Sequence, residues 1–504
     1  MKENSYSRII KSSSMVGGSQ AINMFIGLIR IKVVAILIGP IGVGLIATYQ
    51  SLSHLIVTIT GLGLQSSAVR DIAEVSSKND LDSISKIAIS LRRMSLLTGV
   101  LGCITVASCS NLISEITFGS YSYTNEIFLL SFYILFSNIK GGQIALIQGM
   151  RRIGDMARLN IISAFVGTVF SVSLYWIFGV KGIVPAIVSM GAVELLTAYY
   201  FAQKIQVNRV NISWSESFRI SGGMFKLGLA FMWNGLLIAL IAYLTRLLIA
   251  QELDLVAVGV FSAAFALSGL IVNFVLSAMG ADYYPALVSI KDNNDEMCRL
   301  VNQQTLVGIL LVTPGLAFAI SLAPVLVNMF YSPQFSQASD LLIWFSLGCF
   351  GRVLSWPLGF VVLAKGYSRV FTVIETGINI IHFTLIYGLL SRFGIEGVSV
   401  AFFIMYLIYT MIMLVVIFKL IKFKWSKDVQ KYLSIIFSIL TLLLVVKWSS
   451  TFYISLLINI FISSFTTVMC LSVVISKLGK DNKIYNKIKG IPFFNVFFKV
   501  NNKN

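Results

Sequence analysis

The chain has 504 residues, of which 57% are hydrophobic and only 12% are charged, and its mean hydropathy is +0.86. A soluble domain carries about 25% charged residues, whereas apolar runs of about 20 residues, each long enough to cross a bilayer, recur here. The net charge of +18 does not indicate a nucleic-acid partner, because the cations lie in short loops between apolar runs, where they set membrane orientation. The composition excludes a soluble domain and predicts an all-α polytopic membrane protein.

The apolar runs, and the charged breaks between them, predict fourteen transmembrane helices. With the N-terminus placed inside, only Lys181, Arg392 and Lys447 fall in predicted outer loops, and five other cations fall within helices. This asymmetry predicts that both termini are cytoplasmic. The predicted helices span residues 14–38, 43–64, 90–111, 126–147, 158–178, 182–203, 224–250, 256–279, 305–329, 338–363, 369–390, 396–419, 431–448 and 452–475.

No signature of an enzyme or of a cofactor site accompanies these helices. The sequence contains no G-x-x-x-x-G-K-[ST] loop and neither H-E-x-x-H nor G-x-S-x-G. The five cysteines lack the spacing of metal ligands. The sequence therefore predicts a secondary transporter with no cofactor, no metal and no ATP hydrolysis of its own.

Two pairs of similar segments predict an internal repeat. Gly44 in IGPIGVGLIATYQSL matches Gly259 in ELDLVAVGVFSAAFAL, and Gly182 in GVKGIVPAIV matches Gly397 in RFGIEGVSVAFF, both at an offset of 215 residues. A parallel repeat of this kind relates two six-helix bundles by a pseudo-two-fold axis along the membrane normal. The predicted domains are bundles at 1–215 and 216–425, an extra helix pair at 426–476 and a basic cytoplasmic tail at 477–504.

Four cations within predicted helices mark a candidate anion-binding cavity, because an ionisable residue inside a spanning segment usually faces a polar interior. Arg30 lies on a polar face of helix 1, whereas Lys32 is turned about 200° away and is expected to point to lipid. For Arg246, snorkelling to the headgroups stays an alternative. Cations in such a cavity favour an anion, and with aromatic residues beside them they favour a sugar phosphate or a diphosphate over a bare phosphate. The predicted site comprises Arg30, Lys140, Arg246 and Arg352, with Tyr133 and Trp356 as sugar contacts.

A second set of intramembrane side chains is acidic or titratable. Helix 11 carries Glu375 and His382 on one polar stripe, helix 2 carries His54, and helix 6 carries Glu194 near its middle. Groups of this kind can carry protons during a transport cycle, so all four are candidate ion-coupling residues. Hydrogen bonding between helices is the alternative for each of them.

Three stretches, LIRIKVVAILIGPIGVGLIATYQSL (28–52), GLGLQSSAVRDIAE (61–74) and QGMRRIGDMARLN (148–160), resemble bacterial O-antigen translocases, the lipid-linked oligosaccharide flippases of the multidrug and polysaccharide exporter superfamily. The resemblance covers about residues 10–420. It implies two six-helix bundles around a central cavity, and export of undecaprenyl-diphosphate-linked sugar units across the bacterial inner membrane. It also implies that cavity cations hold the diphosphate, with Arg30 as the best positional match.

The same resemblance implies the partners of the chain, namely the lipid-linked oligosaccharide, membrane lipids, and the polysaccharide polymerase with its chain-length machinery. Helices 13 and 14 resemble the extra pair of the peptidoglycan lipid flippases.

Two other functions stay open. A drug or cation antiporter on this fold would need a cavity dominated by carboxylates, and a membrane polymerase or ligase of lipid-linked sugars would need a large outer loop. The sequence does not choose among a proton gradient, a sodium gradient and the membrane potential as the energy source.

Overall fold

The computed structural model describes residues 5–77, 80–205, 207, 210–449 and 452–477. Within these ranges the long elements are all α-helices. The predicted basic tail beyond Lys477 lies outside the described residues. The helices are α1 (Ser5–Gly61), α2 (Leu64–Ser77), α3 (Leu81–Ser108), α4 (Ser110–Phe118), α5 (Thr124–Gly149), α6 (Ile153–Phe178), α7 (Ile183–Gln203), α8 (Trp214–Glu252), α9 (Leu255–Ser289), α10 (Asn294–Ser321), α11 (Ala323–Phe330), α12 (Ala338–Ala364), α13 (Ser368–Phe393), α14 (Ile395–Ile421), α15 (Lys427–Ser449) and α16 (Phe452–Lys477).

Twelve stretches of the described helices are long and apolar enough to cross a membrane. Two of these stretches, Gly18–Gly61 with 44 residues and Ile153–Gln203 with 51 residues, are long enough for two crossings at about 1.5 Å per residue. Both are broken: Gly39 takes a non-helical conformation with φ of 62° before Pro40, and a 3-10 turn at Gly179–Gly182 separates α6 from α7. Each predicted helix therefore has a counterpart, and the all-α membrane fold is confirmed.

The hydropathy pattern missed the amphipathic parts of the chain. α2 lies inside the predicted inner loop 65–89, with Leu64, Ala68 and Ile72 buried against α5 and α8. Burial also raises the pKa of the Asp71 carboxyl on α2, although Arg70 opposes this shift. α8 begins ten residues earlier than predicted, and α9 ends ten residues later than predicted. In both places the helix continues beyond the apolar run into turns that carry polar residues, and the prediction used only the apolar run.

Contacts between helices divide the chain into two compact units. The first unit runs up to Val260 and includes Phe330–Gln334, and the second covers Phe261–Met329 and the described residues from Phe335 onward. In the first unit α8 packs against α1, α2 and α3. The bundle boundaries at residues 215 and 425, which rest on the repeat, stay predictions.

Each unit has its own buried apolar core. In the first unit Tyr49 and Tyr175 lie among apolar side chains of α1, α5, α6 and α7. In the second unit Tyr283 lies among side chains of α9, α10, α12 and α14. The Tyr283 hydroxyl donates to the backbone oxygen of Pro357 in α12 at 3.0 Å, so this buried donor is satisfied by the backbone of a neighbouring helix.

Gly44 and Gly259, the counterparts in the predicted repeat, pack directly against each other. A Cβ on Gly44 would lie 2.1 Å from the backbone oxygen of Leu255, and a Cβ on Gly259 would lie 2.1 Å from that of Pro40. Only glycine allows two backbones to approach so closely. Reciprocal contact of this kind is what a two-fold relation between two segments produces, so it supports the predicted repeat.

Candidate functional site

The Lys140 ammonium on α5 forms an ion pair with Glu194 on α7. The Nζ–Oε2 distance is 2.6 Å, and the two side chains are 22% and 30% exposed. Further along the same interface the Tyr133 ring lies over Gly191, where a Cβ would come within 2.7 Å of it. The structure thus joins a predicted anion ligand, a predicted coupling residue and a predicted sugar contact at one helix interface. A phosphate could reach Lys140 only in competition with Glu194.

Replacing Lys140 with methionine is expected to destabilise the protein by about 1–3 kcal/mol, because Glu194 would be left partly buried without its partner. The double variant Lys140→Met/Glu194→Gln should recover most of that loss. Thermal unfolding of the purified variants measures both effects. A single variant as stable as the wild type would contradict the structural role of the pair. If the double variant is stable but does not transport its substrate, the charges serve transport as well.

Arg30 and Lys32, two residues apart on α1, face different partners. The half-buried Arg30 guanidinium lies beside the Tyr175 hydroxyl of α6. Lys32 Nζ donates to the backbone oxygen of Tyr331 at 2.6 Å, so the expectation that Lys32 points to lipid is wrong. In an apolar setting an ammonium group needs an acceptor, and the segment that follows α11 supplies one.

Arg246 is held on its own helix. Its Nη1 donates to the backbone oxygen of Ala242, one turn earlier in α8, at 2.8 Å. Beside it the Tyr243 hydroxyl shares a hydrogen bond of 2.8 Å with Thr117 Oγ1 of α4. The side chain of Arg246 is half-buried, and its predicted role in anion binding stays a prediction.

Arg352 lies near the middle of α12 and is half-buried. It interacts electrostatically with the Tyr406 hydroxyl on α14, and Gly351 makes room for Tyr406, since a Cβ there would lie 3.0 Å from that side chain. Arg352 makes no ion pair with any carboxylate in the described part of the chain. The nearby Glu375 of α13 is held instead by Tyr409, whose hydroxyl donates to Glu375 Oε1 at 2.5 Å.

The other predicted residues lie in different surroundings. His382 on α13 packs near Phe402, with ring centroids 6.1 Å apart. Trp356 stacks on Tyr283 with centroids 5.6 Å apart and meets Phe360 edge-on at 4.8 Å, so an aromatic cluster occupies much of its ring surface. His54 is exposed and lines a polar cavity within the first unit.

Sequence reasoning missed two cations on α3 and most of the polar cavity. Arg92 Nε donates to Gln143 Oε1 at 3.3 Å, and Arg93 donates to Ser217 Oγ at 2.8 Å while it lies 4.9 Å from the Trp214 ring centroid. Both lie near the inner end of the predicted helix 90–111, where cations are expected to set membrane orientation. Among the described residues no group of three or more His, Cys, Asp or Glu side chains could hold a metal ion.

Comparisons with known proteins agree with this architecture. The model of a family described as "Polysaccharide biosynthesis protein" matches residues 33–340. The lipid III flippases of Escherichia coli (strain K12) and Shigella flexneri are each 20% identical over 410 residues, which cover 80% of this chain and 96% of theirs. Among solved structures, the lipid II flippase MurJ in an inward closed conformation has a TM-score of 0.67 at 14% identity, over 93% of this chain and 99% of that one.

An inward-facing multidrug resistance transporter of the MATE family has a TM-score of 0.60 at 15% identity, over 81% of this chain and 94% of its own. These relatives confirm the predicted superfamily and fold. They are flippases and transporters, in agreement with the expectation of a transporter rather than an enzyme. Because the family model matches more than half of the chain, the chain belongs to the polysaccharide biosynthesis protein family.

Proposed function

We propose that this chain is a flippase for an undecaprenyl-diphosphate-linked oligosaccharide, an O-antigen unit or a similar surface-polysaccharide repeat. It moves this lipid from the inner to the outer leaflet of the bacterial cytoplasmic membrane by alternating access, with both termini cytoplasmic. Outside, the polysaccharide polymerase and chain-length machinery receive the product. Family membership and the likeness to lipid III flippases over 80% of the chain support a lipid-linked sugar as the cargo.

The observation that carries this proposal is the Arg352 guanidinium, half-buried on a spanning helix without a carboxylate partner in the described chain. A charge within the membrane is costly unless an opposite charge or polar groups compensate it. A diphosphate supplies that compensation, since its oxygens accept the parallel hydrogen bonds of a guanidinium. In the first unit, Arg30, which lies beside Tyr175, Lys140 and Arg246 are proposed as further ligands of an anionic head group.

The engaged carboxylates argue against a drug or cation antiporter. Glu194 is paired with Lys140, and Glu375 accepts a hydrogen bond from Tyr409. A cationic drug would have to displace one of these partners, whereas the Arg352 guanidinium has no carboxylate partner within the described chain for an anionic lipid to displace. Glu194, Glu375, His54 and His382 are proposed to couple transport to an ion gradient.

Deletion of the gene tests the proposal. In a strain without a paralogue, we expect surface polysaccharide to be lost and the lipid-linked precursor to accumulate in the inner leaflet, because its only route outward is removed. Expression of the wild-type chain should restore both. Surface polysaccharide is scored by gel, and the precursor by mass spectrometry of extracted lipid. Normal surface polysaccharide in the deletion strain would contradict the proposed function.

A further inference from the structure

The first unit contains a polar cavity of about 280 Å³ between α1, α2, α3, α5 and α8. Among the residues proposed above to act in transport, only His54 lines it. Among the described residues that line it, none is Lys, Arg, Asp or Glu. The hydroxyl and amide side chains among the described residues of its wall are those of Thr58, Gln65, Ser66, Ser95, Thr98, Ser137 and Asn138.

One buried hydroxyl in this wall has no hydrogen-bond partner within the described part of the chain. Ser137 is 7% exposed, and its Oγ forms no hydrogen bond within the described chain. A buried polar atom is normally satisfied by protein, water or ligand. Ser90 on α3 also has a buried hydroxyl without a partner, but it does not line the cavity. Among the described residues that line the cavity, Ser137 is therefore the one with a buried hydroxyl that lacks a hydrogen-bond partner.

The side-chain amide nitrogen of the neighbouring Asn138 is held by two hydrogen bonds to other protein atoms. Nδ2 donates to Thr60 Oγ1 at 2.9 Å and to the backbone oxygen of Ile134 at 3.1 Å. Its Oδ1 lies toward Gly61 in the cavity wall, 3.2 Å from where a Cβ on Gly61 would stand. This leaves Asn138 Oδ1 as an oriented acceptor on the residue that follows Ser137. An aromatic surface is also present, since Phe231 lines the cavity and is exposed.

We propose that this cavity binds one uncharged sugar ring of the transported oligosaccharide, an inference that rests on the proposed function. Hydroxyl and amide groups match sugar hydroxyls as donors and acceptors, and an aromatic face suits the C–H surface of the ring. The volume lies just below the range of about 300–1,000 Å³ typical of ligand pockets, so it suits a single ring rather than a chain.

Charge argues that the occupant is neutral. The diphosphate would find no cation in the wall, and Lys140, next in sequence to Gly141 of the lining, is already paired with Glu194. A carboxylated sugar would likewise be buried without a counter-charge, which is unfavourable. The cavity and the proposed guanidinium site therefore recognise different parts of the same lipid.

The test measures how tightly the purified protein binds two synthetic lipids, polyprenyl diphosphate and the same lipid with one neutral hexose. We expect the wild type to prefer the sugar-bearing lipid. Ser137→Ala and Ser137→Val should reduce that preference about three- to tenfold, as expected for one neutral hydrogen bond, without changing affinity for the bare lipid. Ser90→Ala is the matched control and should change neither affinity. Thermal stability should stay unchanged in the two alanine variants, since neither hydroxyl has a hydrogen-bond partner within the described chain.

The outcomes separate this inference from the flippase proposal. Equal affinity of the wild type for the two lipids, or an undiminished preference in both Ser137 variants, would overturn the sugar site and leave the flippase standing. Binding of neither lipid by the wild type would overturn both. A sodium-dependent thermal stabilisation that is lost in Ser137→Ala would also overturn the sugar site, because the cavity would then be a cation site.

Discussion

Replacing Arg352 with alanine is expected to lower transport by about 100-fold or more, enough to abolish surface polysaccharide in the complemented deletion strain. Charge-assisted hydrogen bonds contribute about 1.5–3 kcal/mol each, and a guanidinium can form two of them with a phosphate. Arg352→Lys keeps the charge but loses the bidentate geometry, so partial activity is expected. The level of each protein in the membrane must be measured alongside the polysaccharide.

Arg392 supplies the matched control for this experiment. It is exposed at the end of α13, so Arg392→Ala removes the same charge without touching the proposed site and should leave transport unchanged. Full activity of Arg352→Ala would show that Arg352 has a packing role, and the anion site would then have to be built on Arg30 and Arg246. Equal loss of transport in both alanine variants would indicate that the changes alter the orientation of the helices in the membrane, because cations near helix ends affect that orientation.

The helices of this protein could be predicted because hydropathy and length act locally. The break between the first two predicted helices is an example, since Gly39 and Pro40 interrupt an otherwise continuous α1. The amphipathic α2 was missed for the same reason, because its apolar side chains alternate with polar ones and form no run. Hydropathy therefore located the spanning segments well and the helices at the membrane faces poorly.

The site could be predicted only in its composition. Lys140 and Glu194 were both singled out, but as members of different sets, because no local pattern reports that residues 54 apart form an ion pair. Lys32 was misjudged because its acceptor lies 299 residues away in sequence. The polar cavity could not be predicted because its serines and glycines are distributed over five helices, and no single helix carries a pattern that indicates a cavity.

Replacing Gly44 with alanine is expected to prevent normal folding or to destabilise the protein by about 3 kcal/mol or more, the upper range for overpacking a close contact. The added Cβ would lie 2.1 Å from the Leu255 backbone oxygen, and neither backbone can rotate away as a side chain could. The yield of monodisperse protein and its unfolding temperature measure the effect. Gly388→Ala is the control, since a Cβ there meets nothing within 4 Å and alanine favours a helix.

Gly259→Ala should match Gly44→Ala, because the two contacts are reciprocal and equally short. The double variant should lose little more than either single variant, since one separation of the two backbones relieves both clashes, and mutations that share a backbone shift are not additive. Additive losses would mean that the two glycines are needed for separate reasons. A Gly44→Ala protein as stable as Gly388→Ala would contradict the close crossing itself. Matching single losses with a non-additive double are what two counterparts of one repeat, in mutual contact, require.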